Sequence, residues 1–328
     1  MTASGRWKFE CLVLSCVKIL PLRLRSGLKT CFASDGKKGI DKEGINVKRK
    51  RTGFTVVEVL AAVGIIALMV GLLIPALSMV HRTAKETKQK AQFTTIELAL
   101  TTFKNDYGDY PPSYWTLSPA PGPSDDYCGI QKLTEALLGW DLLGFHPKSD
   151  FRSNGRNDNG VFIYDVGNPV FFDQRRGPYL ELATTNAFRL GNISVRYPGL
   201  FSDTRPLAPN TFVLCDVFEE KKVMLDNGKT ARAGAPILYY RANTSGRTIR
   251  EIYNALDDDA IVAIKERADG KIHPLAATAG QYQYFYDYIT DPKISARPWP
   301  YRPGSYILIS AGADGLYGTG DDIRNFGN

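Results

Sequence analysis

Near the C-terminus three carboxylates, Asp314, Asp321 and Asp322, share eleven residues with Gly312, Gly315, Gly318 and Gly320 in the run SAGADGLYGTGDDI. Calcium takes six to eight oxygens at about 2.3–2.6 Å, and glycine turns let one loop fold around it. The spacing is not that of an EF-hand, which needs a Glu at its twelfth position. A solvated Asp-Gly turn accounts for the same residues, and spacing alone leaves both readings open. A fourth carboxylate, Glu58, stands inside an otherwise apolar stretch, where a charge costs on the order of 2.5–3.5 kcal/mol at mid-bilayer and less near the interface. Such a Glu either reaches the headgroups or pairs with a positive charge at its own depth.

Other chemistry has little to work with. His81, His146 and His273 are far apart, and the five cysteines form no CxxC pair, which argues against a histidine-based hydrolase and a structural zinc site. Asp257-Asp258-Asp259 reads as a solvated turn. No nucleophile motif, P-loop or dinucleotide fingerprint is present, so the expectation is a chain that is not an enzyme.

The elements that must carry these residues begin with FTVVEVLAAVGIIALMVGLLIPALSMV, Phe54 to Val80. Val59 to Leu77 has neither charge nor hydroxyl, and its 19 residues span roughly 29 Å as a helix, against about 30 Å of hydrocarbon. A run apolar on every face predicts a membrane span, and Lys48–Arg51 before it holds the N-terminus in the cytoplasm and the rest outside. Pro75 lacks an amide N–H and is expected to kink or loosen the helix. Beyond the span, Phe93, Ile96, Leu100, Phe103 and Tyr107 recur at 3,4,3,4 spacing, which predicts an amphipathic continuation ended by Gly108 and Pro111-Pro112.

The residues from Gly53 to Pro75 resemble the processing site of type IV prepilins and type II secretion pseudopilins. A basic cluster, Gly53, Phe54, Thr55, two apolar residues and Glu58 precede about 20 apolar residues containing a Pro. The resemblance implies cleavage by a prepilin peptidase between Gly53 and Phe54 and N-methylation of Phe54. It also implies assembly in which Glu58 of one copy neutralises the Phe54 amine of another, with Pro75 at its usual place. The C-terminal run is similar to the calcium loop of the major pseudopilin. That likeness implies Asp314, Asp321 and Asp322 as ligands, joined by carbonyls of Ala311 and Thr319. Asn105–Pro111 (NDYGDYP) is similar to the same family. The leader departs from the family in length, at 53 residues, and no Met lies between Met1 and Gly53. Translation from a non-Met codon near Val47 would give a leader of ordinary size.

The expected organisation is therefore a leader (1–53), a membrane or filament-core helix (54–80), its amphipathic half (81–110), and a periplasmic head (111–328) closed by the loop 310–323. The fold class is α+β, a long N-terminal helix packed by its C-terminal half on an antiparallel sheet. A helix over Lys132–Phe145 is predicted, with strands at Val161–Val166, Pro169–Asp173, Thr211–Phe218, Pro236–Ala242, Gln281–Ile289 and Ser305–Ala311. Cys128 and Cys215, outside the leader, are either a disulfide or buried thiols.

The resemblance implies a structural subunit of a periplasmic pseudopilus in a type II secretion system, with calcium as cofactor. Its partners would be the peptidase, other copies and related subunits, and an inner-membrane assembly platform. A type IV pilin for adhesion, motility or DNA uptake is the alternative, and a membrane-anchored enzyme or sensor a second. The formal charge of +7 does not argue for a nucleic acid partner: residues 1–53 carry a net +9, and residues 54–328 a net −2.

Overall fold

The computed structural model describes residues 54–116, 126–182, 184–194, 207–218, 221–262, 272–276 and 282–327. Gly53 and the leader lie outside them. The chain divides into Met1–Leu60 and Ala61–Asn328. Of the first unit, Phe54–Leu60 are described, and they open the first helix.

Helix α1 runs over Val56–Tyr107. Thr55 and Glu58 start it as a capping box: the Glu58 N–H donates to Thr55 Oγ1 (3.3 Å), and the Thr55 N–H donates to Glu58 Oε2 (2.8 Å). Pro75 lies inside this helix. The Ser78 hydroxyl donates to the Pro75 carbonyl at 2.8 Å. The most apolar 18-residue window of α1 is long and hydrophobic enough to cross a membrane, and none of it is buried against the rest of the protein. Leu60, Ile65, Leu68 and Leu72 are all more than half exposed.

The second half of α1 behaves differently. Phe93, Ile96, Leu100 and Phe103 are buried, as their 3,4,3 spacing requires, and Tyr107 is half-buried. They pack with Leu133 and Leu137 of α2 (Gly129–Leu138) and with Tyr239, Leu308 and Ile323. At about 1.5–3 kcal/mol per buried large side chain, the four apolar residues contribute roughly 6–12 kcal/mol to this docking.

The rest is mixed helix and small antiparallel sheets. Strands β1 (Ala187–Arg189) and β2 (Phe212–Leu214) pair antiparallel, as do β3 (Lys221–Met224) and β4 (Thr230–Ala233). The largest sheet is β5 (Leu238–Arg241), β6 (Tyr306–Ser310) and β7 (Ile323–Arg324), with Tyr239 opposite Leu308 and Ile309 opposite Arg324. Period-2 alternation sends Tyr239 and Leu308 toward α1, and Leu238, Tyr240, Ile307 and Ile309 into a second core with Phe285, Tyr317 and Phe326. Strand β6 is therefore buried at every residue.

Several predicted strands take another form. Pro169–Phe172 is a short helix, because Asn168 accepts the Val170 N–H as its cap and Pro169 supplies a preset first φ. Gln283–Tyr288 is helical too, although its alternating aromatics suggest a strand. Its buried residues, Phe285, Tyr286 and Ile289, follow helical spacing instead. Val161–Val166 is turns with one bridge, Arg156 to Phe162. The helix predicted over Lys132–Phe145 starts at Gly129 and ends at Leu138, where Gly139 adopts φ +93°. Cys128 and Cys215 are buried free thiols, not a disulfide.

Candidate functional site

The residues singled out from the sequence fall into two places. Phe54 is 87% exposed at the start of α1, and the Glu58 carboxylate accepts from both the amide and the hydroxyl of Thr55 (2.8 and 3.0 Å). Within one chain, Glu58 is thus held by its own helix N-terminus. That gives the carboxylate a partner within its own chain.

The loop 310–323 follows β6 and returns as β7. Gly312 makes the turn possible: it sits at φ +65°, and a Cβ there would lie 2.3 Å from the Asp321 carbonyl oxygen. Asp321 then closes the loop, its Oδ2 accepting from the amides of Ala313 (2.8 Å) and Asp314 (3.0 Å) and its Oδ1 from the Thr319 hydroxyl (2.6 Å). Asp314 Oδ1 accepts the Leu316 N–H at 2.8 Å. Asp322 turns the other way, accepting from Tyr288 and from the Gly318 N–H at 2.7 Å. Loop closure therefore brings Asp314 and Asp321 side by side, while Asp322 turns its Oδ2 to the aromatic helix and keeps its Oδ1 3.4 Å from the Thr319 hydroxyl.

The electrostatics follow this placement. Burial and the adjacent Asp321 carboxylate push Asp314 up. Burial pushes Asp321 up as well, but the hydrogen bonds from Thr319 and the Asp314 and Ala313 amides outweigh it and hold Asp321 below the usual carboxylate range. Burial raises Asp322 to about 6. Among the described residues, none of the three forms an ion pair with Lys or Arg. Two abutting carboxylates, a hydroxyl and nearby carbonyls fit calcium in chemical kind. They do not converge as a set: no group of three His, Cys, Asp or Glu is arranged to hold a metal among the described residues.

The sequence reading missed a third polar centre. Asp257, Asp258 and Asp259 do not form a solvated turn; all three are buried. Asn254 caps the 3-10 turn Ala255–Asp258 that carries them inward. Asp258 accepts the Ile130 N–H at the start of α2 (2.9 Å) and the Tyr239 N–H of β5 (3.0 Å), and burial raises its pKa to about 8. Asp257 accepts from Ser113 and is raised by burial to about 6. Lys132, fully buried nearby, donates to the Tyr114 carbonyl (2.6 Å) and Thr116 Oγ1 (2.7 Å), and burial lowers it to about 8. Asn254 before Ala255 and the apolar Ile261-Val262 after the acids were the available signals. Burial raises the thiols of Cys128 and Cys215 well above the ordinary range. Comparison with family models, curated proteins and solved structures gave no match.

Proposed function

We propose that the chain is a non-enzymatic, pilin-like structural subunit, cut between Gly53 and Phe54, held in an inner membrane by α1 and assembled into a periplasmic pseudopilus of a type II secretion system. The observation that carries this reading is one helix with two different halves. The Gly-Phe-Thr-x-x-Glu sequence leads into a half exposed all round, and the half that follows buries a single stripe. An apolar surface of that extent needs lipid or other copies around it.

In this reading a prepilin peptidase methylates Phe54, and the assembly platform moves subunits from bilayer to filament. Glu58 exchanges its Thr55 contacts for the Phe54 amine of a neighbour, which keeps an uncompensated carboxylate out of a low-dielectric core. Calcium, held by Asp314, Asp321 and Asp322 with carbonyls of Ala311 and Thr319, would keep the C-terminal loop closed. The type IV pilin alternative draws on the segment from Trp140 to Tyr164, which packs its own aromatic group and enlarges the head.

Mass spectrometry of the mature N-terminus tests the proposal. N-methylated Phe54 supports it, and an intact leader on membrane-extracted protein refutes it. Glu58→Leu should leave processing intact and abolish entry into filaments; an anchored enzyme or sensor would tolerate the change.

A further inference from the structure

The segment after β2 runs along α1 toward the helix's apolar half. Gln92 Nε2 donates to the Cys215 carbonyl (3.0 Å), Gln89 Oε1 accepts the Val217 N–H (2.9 Å), and Lys85 Nζ donates to the Phe218 carbonyl (2.8 Å). Three residues beyond Phe218, Lys221 opens the β3–β4 hairpin. Lys85 is five residues, about 7.5 Å, past Val80 where the apolar run ends. The headgroup layer is about 5–7 Å thick on each side of the hydrocarbon. If α1 spans a membrane, the hairpin therefore begins at its surface.

The hairpin's two faces differ in the way this position calls for. Val223 and Ala233 are fully buried against the head. By strand alternation Lys222 and Met224 point outward, opposite Arg232 and Thr230. Met224 is 57% exposed, and Lys222 and the turn residue Lys229 are exposed as well. Asp226 at the turn is neutralised by Arg189 at 2.8 Å. The neighbouring α1 cations are already engaged, Arg82 with Glu86 at 3.0 Å and Lys85 with the Phe218 carbonyl, so the hairpin's own Lys222 and Lys229 supply the charge. An apolar side chain flanked by long cationic stems suits an interface of phosphates over acyl chains.

We propose that the outward face of the β3–β4 hairpin is a lipid-contact surface that rests on anionic headgroups of the membrane crossed by α1. The inference rests on the membrane-spanning reading of Phe54–Val80. It assigns the hairpin a role in the unassembled subunit: fixing the head against the bilayer until extraction. Each Lys at an anionic surface is worth roughly fivefold in the docking equilibrium, and the contact is screened by salt.

The test uses the full chain with Cys11, Cys16 and Cys31 changed to Ser and an environment-sensitive fluorophore on Met224→Cys. It is reconstituted in phosphatidylcholine vesicles with and without phosphatidylglycerol. Buried Cys128 and Cys215 remain unlabelled. Blue-shifted emission quenched by brominated lipid is expected only with phosphatidylglycerol. Molar salt should reverse it, and Lys222→Gln with Lys229→Gln should lower the docked-to-lifted ratio roughly 25-fold. A second chain labelled at Leu73→Cys separates the two ways of failing. Quenching at Leu73 with no response of Met224 to phosphatidylglycerol overturns the hairpin contact alone. No quenching at Leu73 overturns the membrane span and the contact with it.

Discussion

Replacing Asp321 separates the two jobs its carboxylate is placed to do. In the loop it accepts three hydrogen bonds, two from backbone amides seven and eight residues upstream. Removing all three with Asp321→Ala forfeits about 1.5–3 kcal/mol per bond if they were fully buried; partial exposure roughly halves that, to about 3 kcal/mol in total. Asp321→Asn keeps an oxygen for the two amides and removes the charge that crowds Asp314, so its cost in chelator should stay under about 1 kcal/mol. Calcium changes the comparison. A ligand at a hundredfold over its Kd adds about 2.7 kcal/mol, and a head of this size gains about 2–4 °C per kcal/mol, so the native loop should gain roughly 5–10 °C in Tm. Asp321→Asn should gain almost nothing. Melting of the detergent-solubilised chain, followed by near-ultraviolet circular dichroism in calcium and in chelator, reads all four conditions. If the native chain melts at one temperature in both, or if Asp321→Asn keeps the full calcium response, the loop is a hydrogen-bonded turn and not a cation site.

Two further predictions concern how the head is held together. Glu97 of α1 accepts from Arg302 Nη1 (2.5 Å) and Asn325 Nδ2 (2.9 Å), joining the helix to the residues just before β6 and just after β7. Glu97→Ala should therefore destabilise by about 2 kcal/mol. A double-mutant cycle with Asn325→Ala should give a coupling of at least about 0.5 kcal/mol in urea melts, and strict additivity would contradict the clamp. The acid cluster predicts a pH effect of definite sign. Asp258 and Asp257 are raised in the fold, to about 8 and about 6, so the folded state holds protons that the unfolded chain releases near 4. Their contribution is complete below pH 4 and is lost as pH rises through 6 and then 8, on the order of several kcal/mol. Asp258→Asn should flatten the decline between pH 6 and 8 in equilibrium unfolding. An unchanged slope would place the proton elsewhere.

What was legible in the sequence was what local periodicity encodes. The stripe from Phe93 to Phe103 is buried because its spacing fits one face of a helix, whatever lies opposite. Strands β5 and β6 were legible because a strand buried on both faces reads as a continuous apolar run, LYYR and YILIS, between turns. Tyr282–Tyr288 misled because aromatic residues at every second position are a strand pattern. The chain instead used Phe285 and Ile289, four apart, to reach the core, and Tyr284 and Tyr288 stack as an i, i+4 pair at 6.4 Å. The three-residue and four-residue strands β1, β3 and β4 carry too few alternations to register at all.

The acid triplet escaped for a different reason, one that bears on function. Three consecutive aspartates are read as solvated because nothing local can satisfy them. Their partners are long-range: Ser113 and Tyr239 for Asp257 and Asp258, Ile130 for Asp258, and Tyr282 for Asp259. The same logic runs in reverse for the carboxylates of the C-terminal loop, whose hydrogen bonds are local except that of Asp322 with Tyr288, and which were therefore visible at once. Asp258 satisfies the N-terminal amide of α2 from 128 residues away, locking together the two layers that receive α1. The acids at 314, 321 and 322 are only partly buried, whereas the hidden ones lie wholly inside the fold. The search for a cation response therefore belongs at the loop, while charge changes at 257–259 should act on stability.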